Sequence, residues 1–113
     1  METKVAVAQM LSGADLDLNM RCVRELASQA AKQSAKILVL PENFAMFDSA
    51  KLIDLAKSEA RTSFIHNALS TLAEEFGLWI IAGSVPLFLR SIDKVTASCL
   101  VFDDKGELVS RYD

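Results

Sequence analysis

The sequence contains few residues that could cross-link the chain or bind a metal. Only two of its 113 residues are cysteine, Cys22 and Cys99, and they are too far apart to form a C-x-x-C pair. This spacing predicts neither a disulfide framework nor a zinc knuckle, so we expect both to be small core residues. The single histidine, His66, has no second ligand at metal-binding spacing, and we expect it on the flank of a helix without a catalytic role.

The sequence also lacks a block of like charges and a long apolar run. Twelve basic and fifteen acidic residues give a net charge of -3 and neither sign clusters, so the electrostatic footprint of a nucleic-acid-binding protein is missing. The apolar residues 5–11 are interrupted by Gln9 and are too few for a signal sequence or a membrane span. We therefore expect a cytoplasmic protein whose partner is a small molecule or another protein, with no nucleic acid and no membrane.

Fingerprints of common cofactors are missing as well. The first strand-to-helix turn holds only one glycine, Gly13, and therefore matches neither a dinucleotide fingerprint nor a phosphate loop. Asp15, Asp17 and Asn19 have the opening spacing of a calcium loop, but the sixth position is Met20 instead of glycine. The sequence therefore predicts no metal site and no organic cofactor.

The residues that are present predict one α/β domain. Hydrophobic residues make up 51% of the sequence, which is enough for a single core. Apolar runs and alternation predict strands over residues 5–10, 37–40, 78–82, 96–102 and 108–112. Helical spacing predicts one helix that starts near Asp15, then a short and a longer helix that ends at Gly77. Residues 83–86 are expected to close the third strand, either as turn residues or as residues that let the backbone approach a site closely. Trp79 is expected to be a core residue of that strand, and residues 103–106 predict an antiparallel hairpin.

Glu42 is the candidate catalytic residue. It follows four consecutive branched aliphatic residues, 37–40, which are typical of a strand buried on both faces. Pro41 ends the ladder because it has no N–H to donate. Since open α/β sheets bind ligands beyond the carboxyl ends of their strands, Glu42 is expected at a binding site, shielded from solvent and able to act as a general base. A solvated acid at a strand end is the alternative interpretation.

Four segments, in order, resemble one known family. They are residues 4–10 (KVAVAQM), 38–44 (LVLPENF), 79–84 (WIIAGS) and 99–113, a hairpin that ends in Arg-Tyr-Asp. Together they resemble the nitrilase superfamily of carbon-nitrogen hydrolases over nearly the whole chain. The resemblance implies an αββα sandwich of the nitrilase type, of which this chain is about the first half. Residues 1–113 would then be the N-terminal portion of a single carbon-nitrogen hydrolase domain.

The resemblance also implies the chemistry. Members of the family use a Glu-Lys-Cys triad and form an acyl-enzyme on the cysteine. Glu42 matches the triad glutamate, the general base that activates the thiol and later the water. The lysine and the nucleophilic cysteine would follow Asp113, and neither Cys22 nor Cys99 occupies a matching place. The region after Glu42 also lacks the Gly-Pro pair that many members carry.

We therefore expect the complete protein to be a thiol hydrolase, and a homo-oligomer, that cleaves a C–N bond of a small non-peptide amide without a cofactor. Residues 43–46 (Asn-Phe-Ala-Met) are similar to the branch that acts on deaminated glutathione and related ω-amides. The 113-residue chain alone is expected to be inactive. The alternative is a non-catalytic α/β scaffold or interaction module with the same fold. The sequence beyond Asp113 would discriminate between the two.

Overall fold

The computed structural model describes residues 2–91 and 93–113. Its strands form one sheet in the order β1-β2-β3-β4-β5, with the bounds β1 Val5–Val7, β2 Ile37–Leu40, β3 Trp79–Leu89, β4 Lys94–Phe102 and β5 Leu108–Tyr112. The described helices are α1 Leu16–Lys32, α2 Leu52–Thr62 and α3 Phe64–Phe76, and a short 3-10 helix, Ser49–Lys51, precedes α2. The predicted order of elements and the predicted α/β class are confirmed.

The strand directions decide which residues meet at each edge of the sheet. β1, β2 and β3 are parallel, whereas β3 pairs antiparallel with β4 and β4 pairs antiparallel with β5. β5 therefore runs in the same direction as β2 and β3. As a result, the carboxyl ends of β2 and β5 lie at the same edge of the sheet.

The ends of the helices and the last hairpin follow local sequence signals. Asp15 caps α1, because its side chain accepts a hydrogen bond from the amide of Leu18 at 3.1 Å. Gly77 ends α3 with a φ of 61°, and Gly106 closes the β4–β5 hairpin with a φ of 84°. Glycine adopts these positive angles without a steric cost, so both turns form where the sequence predicts them.

One face of the sheet packs against helices. Leu38 of β2 and Ile80 of β3 are buried together with Val23 and Ala27 of α1 and Leu69 of α3. Burying a large aliphatic side chain stabilises a fold by about 1.5–3 kcal/mol relative to leaving it exposed. This layer of helix on sheet therefore holds β2 and β3 in place and fixes the position of the loops at their carboxyl ends.

The opposite face of the sheet is open in the described chain. Val7 is 77% exposed, Trp79 41% and Tyr112 78%, while Ile37 and Val39 are half-buried. The predictions that β2 is buried on both faces and that Trp79 is a core residue are therefore wrong. Successive side chains of a strand point to opposite faces, and α1 and α3 pack only against the face that carries the core.

β1 is shorter and β3 is longer than the sequence predicts. β1 ends at Val7 instead of residue 10. β3 does not close at residues 83–86 but continues to Leu89, and Pro86 pairs with Ala97 of β4. The ladder between β2 and β3 ends at Ala82, so the rest of β3 has a described neighbour, β4, on one side. Proline is tolerated in such a strand because its nitrogen is not needed for a second ladder.

The two cysteines and the histidine occupy different environments. Cys22 is exposed on α1, so the prediction that it is a core residue is wrong, whereas Cys99 is half-buried within β4. A helix turns by about 100° per residue, and the neighbouring Val23 takes the position that faces the sheet. His66 lies half-buried on the flank of α3, as predicted, with its ring edge-on to Phe102 at a centroid distance of 5.1 Å. None of the described helices has the length and hydropathy of a membrane span.

Candidate active site

Glu42 lies directly beyond the carboxyl end of an interior strand. β2 is flanked by β1 and β3, and its last ladder pair joins Leu40 to Ala82 of β3. Pro41 follows, and Glu42 begins a turn outside the ladder. Glu42 therefore has the position in the sheet that its sequence context predicts.

The side chain of Glu42 is exposed, so the prediction that it is shielded from solvent is wrong for this chain. The turn projects past the last ladder pair of β2 and β3, and β1 ends at Val7, level with Val39 of β2. In residues 2–91 and 93–113, the ion pairs are Arg24 with Glu75 and Arg111 with Asp113, and neither involves Glu42. The carboxylate can therefore accept a proton from a group that is brought to this edge of the sheet.

The turn that carries Glu42 is hydrogen-bonded to β3. Asn43 adopts the left-handed conformation with a φ of 53°. Its amide donates a hydrogen bond to the hydroxyl of Ser84 at 3.2 Å, and that hydroxyl lies 3.4 Å from the Asn43 side-chain oxygen, to which it donates. The sequence pattern indicates that residues 83–86 either form a turn or let the backbone approach a site closely. It does not predict this contact, because the contact depends on the pairing of β3 with β2.

The loop after the turn is held by hydrogen bonds from Ser12, which precedes α1, and from Asn19 of α1. The hydroxyl of Ser12 donates to the carbonyl oxygen of Phe44 at 2.8 Å, and the amide of the Asn19 side chain donates to that of Ala45 at 2.8 Å. Phe44 and Ala45 are completely buried, and Asn19 is 4% exposed. A buried polar side chain must find hydrogen-bond partners, and Asn19 finds them in Ala45 of this loop and in the backbone of Gly13. Its position beside the apolar stripe of α1 is the signal from which this role could have been predicted.

An open cavity of about 500 Å³ lies next to the turn. It is lined by Asn43, Phe47, Asp48, Ser49 and Leu52, and it therefore joins the turn to the start of α2. A larger cleft of about 630 Å³ lies between α1 and α3, and its lining contains neither Glu42 nor Asn43. The smaller cavity is the one that fits a ligand beyond the strand ends, where α/β sheets bind small molecules.

A second polar group lies at the same edge of the sheet, at the end of β5. The buried hydroxyl of Ser98 donates to the Asp113 carboxylate at 2.6 Å, and Arg111 pairs with the same carboxylate at 2.7 Å. The Arg111 hydrogen bond, and then that of Ser98, lower the pKa of Asp113 below its usual value. β3 and β4 separate Glu42 from Asp113, so three strand spacings, about 14 Å, lie between the ends of β2 and β5.

The candidate site of the described chain contains the carboxylate of Glu42 but no cysteine. Cys22 lies on the outer side of α1, and Cys99 lies within the β4 ladder opposite Tyr112. Neither cysteine occupies a turn at the edge that carries Glu42. In the part of the chain that the structure describes, no three histidine, cysteine, aspartate or glutamate residues are grouped so that they could hold a metal ion.

The sequence matches the carbon-nitrogen hydrolase family over residues 4–113. Among known proteins, it is 30% identical over 110 residues to the deaminated glutathione amidase of Yersinia enterocolitica, a match that covers 96% of this chain and 38% of that protein. It is 33% identical over 108 residues to the deaminated glutathione amidase of a Synechocystis strain, covering 95% of this chain and 39% of that protein. The chain thus spans about two fifths of the length of these relatives.

Solved structures show the same fold. The NitFhit protein of C. elegans superposes with a TM-score of 0.85 at 24% identity, over 99% of this chain and 28% of that chain. Nit3 of Saccharomyces cerevisiae, a member of branch 10 of the nitrilase superfamily, superposes with a TM-score of 0.84 at 21% identity, over 97% of this chain and 43% of that chain. The family match extends over nearly all of the sequence, and the strand end that carries Glu42 lies within it. The chain therefore belongs to the carbon-nitrogen hydrolase family, and its α/β fold is that of the nitrilase superfamily.

Proposed function

We propose that the complete protein is an amidase that hydrolyses the C–N bond of a small non-peptide amide through an acyl-enzyme. The observation that carries this proposal is the position of Glu42, at the carboxyl end of an interior parallel strand and next in sequence to Asn43, which lines an open cavity. A carboxylate at such an edge can take a proton from a nucleophile and return it to a leaving group. The match to the carbon-nitrogen hydrolase family supports hydrolysis of a C–N bond as the reaction.

In the proposed mechanism, Glu42 is the general base in both halves of the reaction. It accepts the proton of a cysteine thiol as the sulfur attacks the amide carbon, and the C–N bond then breaks. The proton passes to the leaving nitrogen, which departs as ammonia or an amine. Glu42 next takes a proton from water as the water oxygen attacks the thioester carbon. The C–S bond breaks, the acid is released, and the proton passes from Glu42 to the cysteine sulfur. A lysine donates to the developing oxyanion, and both the lysine and the cysteine are assigned to residues that follow Asp113 in the complete protein.

The open face of the sheet supports an αββα arrangement for the complete domain. Its exposed residues include Val5, Val7, Trp79 and Tyr112, and this apolar surface suits a second sheet packed face to face about 10 Å away. We propose that such a sheet covers it, that it shields the active-site edge, and that it brings the lysine and the cysteine to Glu42. We also propose that the complete protein is a homo-oligomer and that it is located in the cytoplasm.

The names of the relatives suggest a more specific class of substrate. Two of the relatives are named deaminated glutathione amidase. We propose an ω-amide of a small carboxylic acid as the substrate, with no metal or organic cofactor in the reaction. The cavity beside Asn43 contains the phenyl ring of Phe47 and the carboxylate of Asp48 among its lining residues, so it can offer apolar and polar contacts to such a molecule.

The test is ammonia release from a panel of small ω-amides by the full polypeptide that the reading frame encodes. Glu42→Gln should abolish turnover and leave the fold intact, because an amide has the shape of the carboxylate but cannot accept a proton. Glu25→Gln, at an exposed position of α1, is the matched control and should retain full activity. Activity close to that of the parent protein in Glu42→Gln would remove Glu42 from the mechanism.

The 113-residue chain should release no ammonia in the same assay, because a base without a nucleophile provides no covalent route. Turnover by this short chain that disappears in Cys99→Ser would make Cys99 the nucleophile and overturn the proposed assignment. An inactive full polypeptide, with an intact fold, would favour a non-catalytic scaffold or interaction module.

A further inference from the structure

A β-bulge in β3 lies beside the Glu42 turn. The β3–β4 register pairs Ala82 with Leu100 and then Val85 with Ser98. Two residues of β3, Gly83 and Ser84, therefore stand opposite one residue of β4. Bulges of this kind bend a strand and redirect a side chain, and they occur often next to active sites.

Ser84 stands at the same level of the sheet as Glu42. The last parallel pair joins Leu40 to Ala82, and two further residues on each strand lead to Glu42 and Ser84. Pro41 has already ended the backbone ladder of β2. The hydrogen bond from the Asn43 amide to the Ser84 hydroxyl, at 3.2 Å, continues the link between the two strands through a side chain.

Asn43, which is hydrogen-bonded to Ser84, has an unusual backbone conformation. Asn43 has a φ of 53°, in a region that side-chain-bearing residues rarely adopt and that asparagine tolerates better than most. The Ser84 hydroxyl lies within hydrogen-bond distance of both its amide and its side-chain oxygen. The conformation of Asn43 sets the direction in which the chain leaves Glu42, and the contact with Ser84 holds that part of the turn.

The other anchors of the loop act farther from Glu42. Ser12 holds the carbonyl group of Phe44, and Asn19 holds that of Ala45. Loss of the Ser84 hydroxyl would therefore release the turn next to Glu42, while the following buried residues keep the loop in place. The expected consequence is a misdirected base in a folded protein.

We propose that Ser84 is a positioning residue, whose hydroxyl fixes the turn that carries Glu42. This inference rests on the proposed function, in which Glu42 is the general base. A shift of about 1 Å in a reacting group can cost about 100-fold in rate, so a hydroxyl that never touches the substrate can still control turnover.

The first test needs no turnover and uses NMR of the full polypeptide. Ser84→Ala removes the acceptor of the Asn43 amide, and we expect faster hydrogen exchange of that amide and displaced side-chain signals of Glu42. Ser84→Thr keeps a hydroxyl. The exchange rate of the Asn43 amide and the side-chain signals of Glu42 should therefore stay close to their values in the parent protein. Ser84→Cys, which preserves volume but accepts hydrogen bonds weakly, provides a second variant with the same expected direction as Ser84→Ala.

The matched control is Ser70→Ala. The Ser70 hydroxyl is also part-buried and also donates across two elements, to the carbonyl group of Gly106, but it lies on α3 and away from the turn. Ser70→Ala should lower the stability of the protein without changing the NMR signals of Asn43 or Glu42. Unchanged signals of both residues in Ser84→Ala and Ser84→Cys would overturn the inference, whatever the activity of the protein.

The second test uses the kinetics of amide hydrolysis. Ser84→Ala should lower kcat about 10- to 100-fold while KM stays within about twofold, and it should displace the acidic limb of the pH profile of kcat/KM. Ser84→Thr should restore most of kcat. A parent-like kcat and pH profile in Ser84→Ala, together with an inactive Glu42→Gln, would overturn the positioning role alone. An active Glu42→Gln would instead overturn the proposed function, and the NMR measurements would still decide whether Ser84 fixes the turn.

Discussion

Gly106 lies directly against the backbone of Ser70. A β-carbon built on Gly106 would lie 2.6 Å from the Ser70 carbonyl oxygen, closer than any real contact of that kind, and the Ser70 hydroxyl donates to the carbonyl group of Gly106. The glycine therefore serves two purposes. It allows the positive φ of 84° that the hairpin turn needs, and it allows the turn to dock against α3.

Gly106→Ala should lower the free energy of unfolding by about 2–4 kcal/mol, because strain at a positive φ and overpacking against α3 add together. Chemical denaturation of the full polypeptide measures this change. Gly13→Ala is the matched control, since no atom lies within 4 Å of the β-carbon position at Gly13. Equal stability of the two variants would show that the hairpin turn can move away from α3 without cost.

Glu59 joins the end of α2 to the start of α3. It is 6% exposed, and its two carboxylate oxygens accept hydrogen bonds from the amides of Ile65 at 2.8 Å and His66 at 3.0 Å. Glu59→Gln places an NH₂ group against one of these amides and should destabilise the protein by about 1–3 kcal/mol in thermal unfolding. Glu74→Gln, at an exposed position of α3, should change stability little. A parent-like melting temperature in Glu59→Gln would contradict the proposed importance of this contact.

Asp113 should make the stability of the protein depend on pH in the acidic range. The hydrogen bond from Arg111, followed by that from Ser98, lowers its pKa from the usual 3.8. A lowered pKa in the folded state means that the contribution to stability is present above the unfolded value and is lost as the pH falls through the folded value.

Asp113→Asn should therefore reduce the loss of stability between neutral pH and pH values below about 3.8, measured as the melting temperature against pH. Asp104→Asn, at an exposed position in the β4–β5 turn, is the control. An identical acid dependence in the parent and in Asp113→Asn would mean that the Arg111 and Ser98 contacts do not stabilise the ionised carboxylate.

The open face of the sheet should make the 113-residue chain associate in solution. Exposed apolar patches of this kind promote self-association, and an unpaired strand edge adds to the effect. Val7→Lys, at a 77% exposed position of this face, should shift the sedimentation coefficient towards that of a monomer. Leu18→Lys, at a 59% exposed position of α1, should have little effect. A stable monomer of the unmodified chain with cooperative unfolding would show that this face needs no cover.

The order and the type of the helices and strands were predictable because their signals are local. Asp15 at the start of α1, Gly77 at the end of α3 and Gly106 in the hairpin each act through their own φ angle or through a neighbour within one turn. The strand that leads to Glu42 was predictable for the same reason, since four branched aliphatics and a proline describe both its length and its end. The order of these elements along the chain then limited the fold class to α/β.

The surroundings of those elements could not be predicted, because they depend on contacts between residues far apart in sequence. Whether Trp79 is buried depends on which face of the sheet the helices cover, and a run of apolar residues looks the same in both cases. The extension of β3 past Pro86 depends on β4 as its partner. The contact between Ser84 and Asn43, which are 41 positions apart in the sequence, forms because the pairing of β2 with β3 brings Ser84 level with the turn.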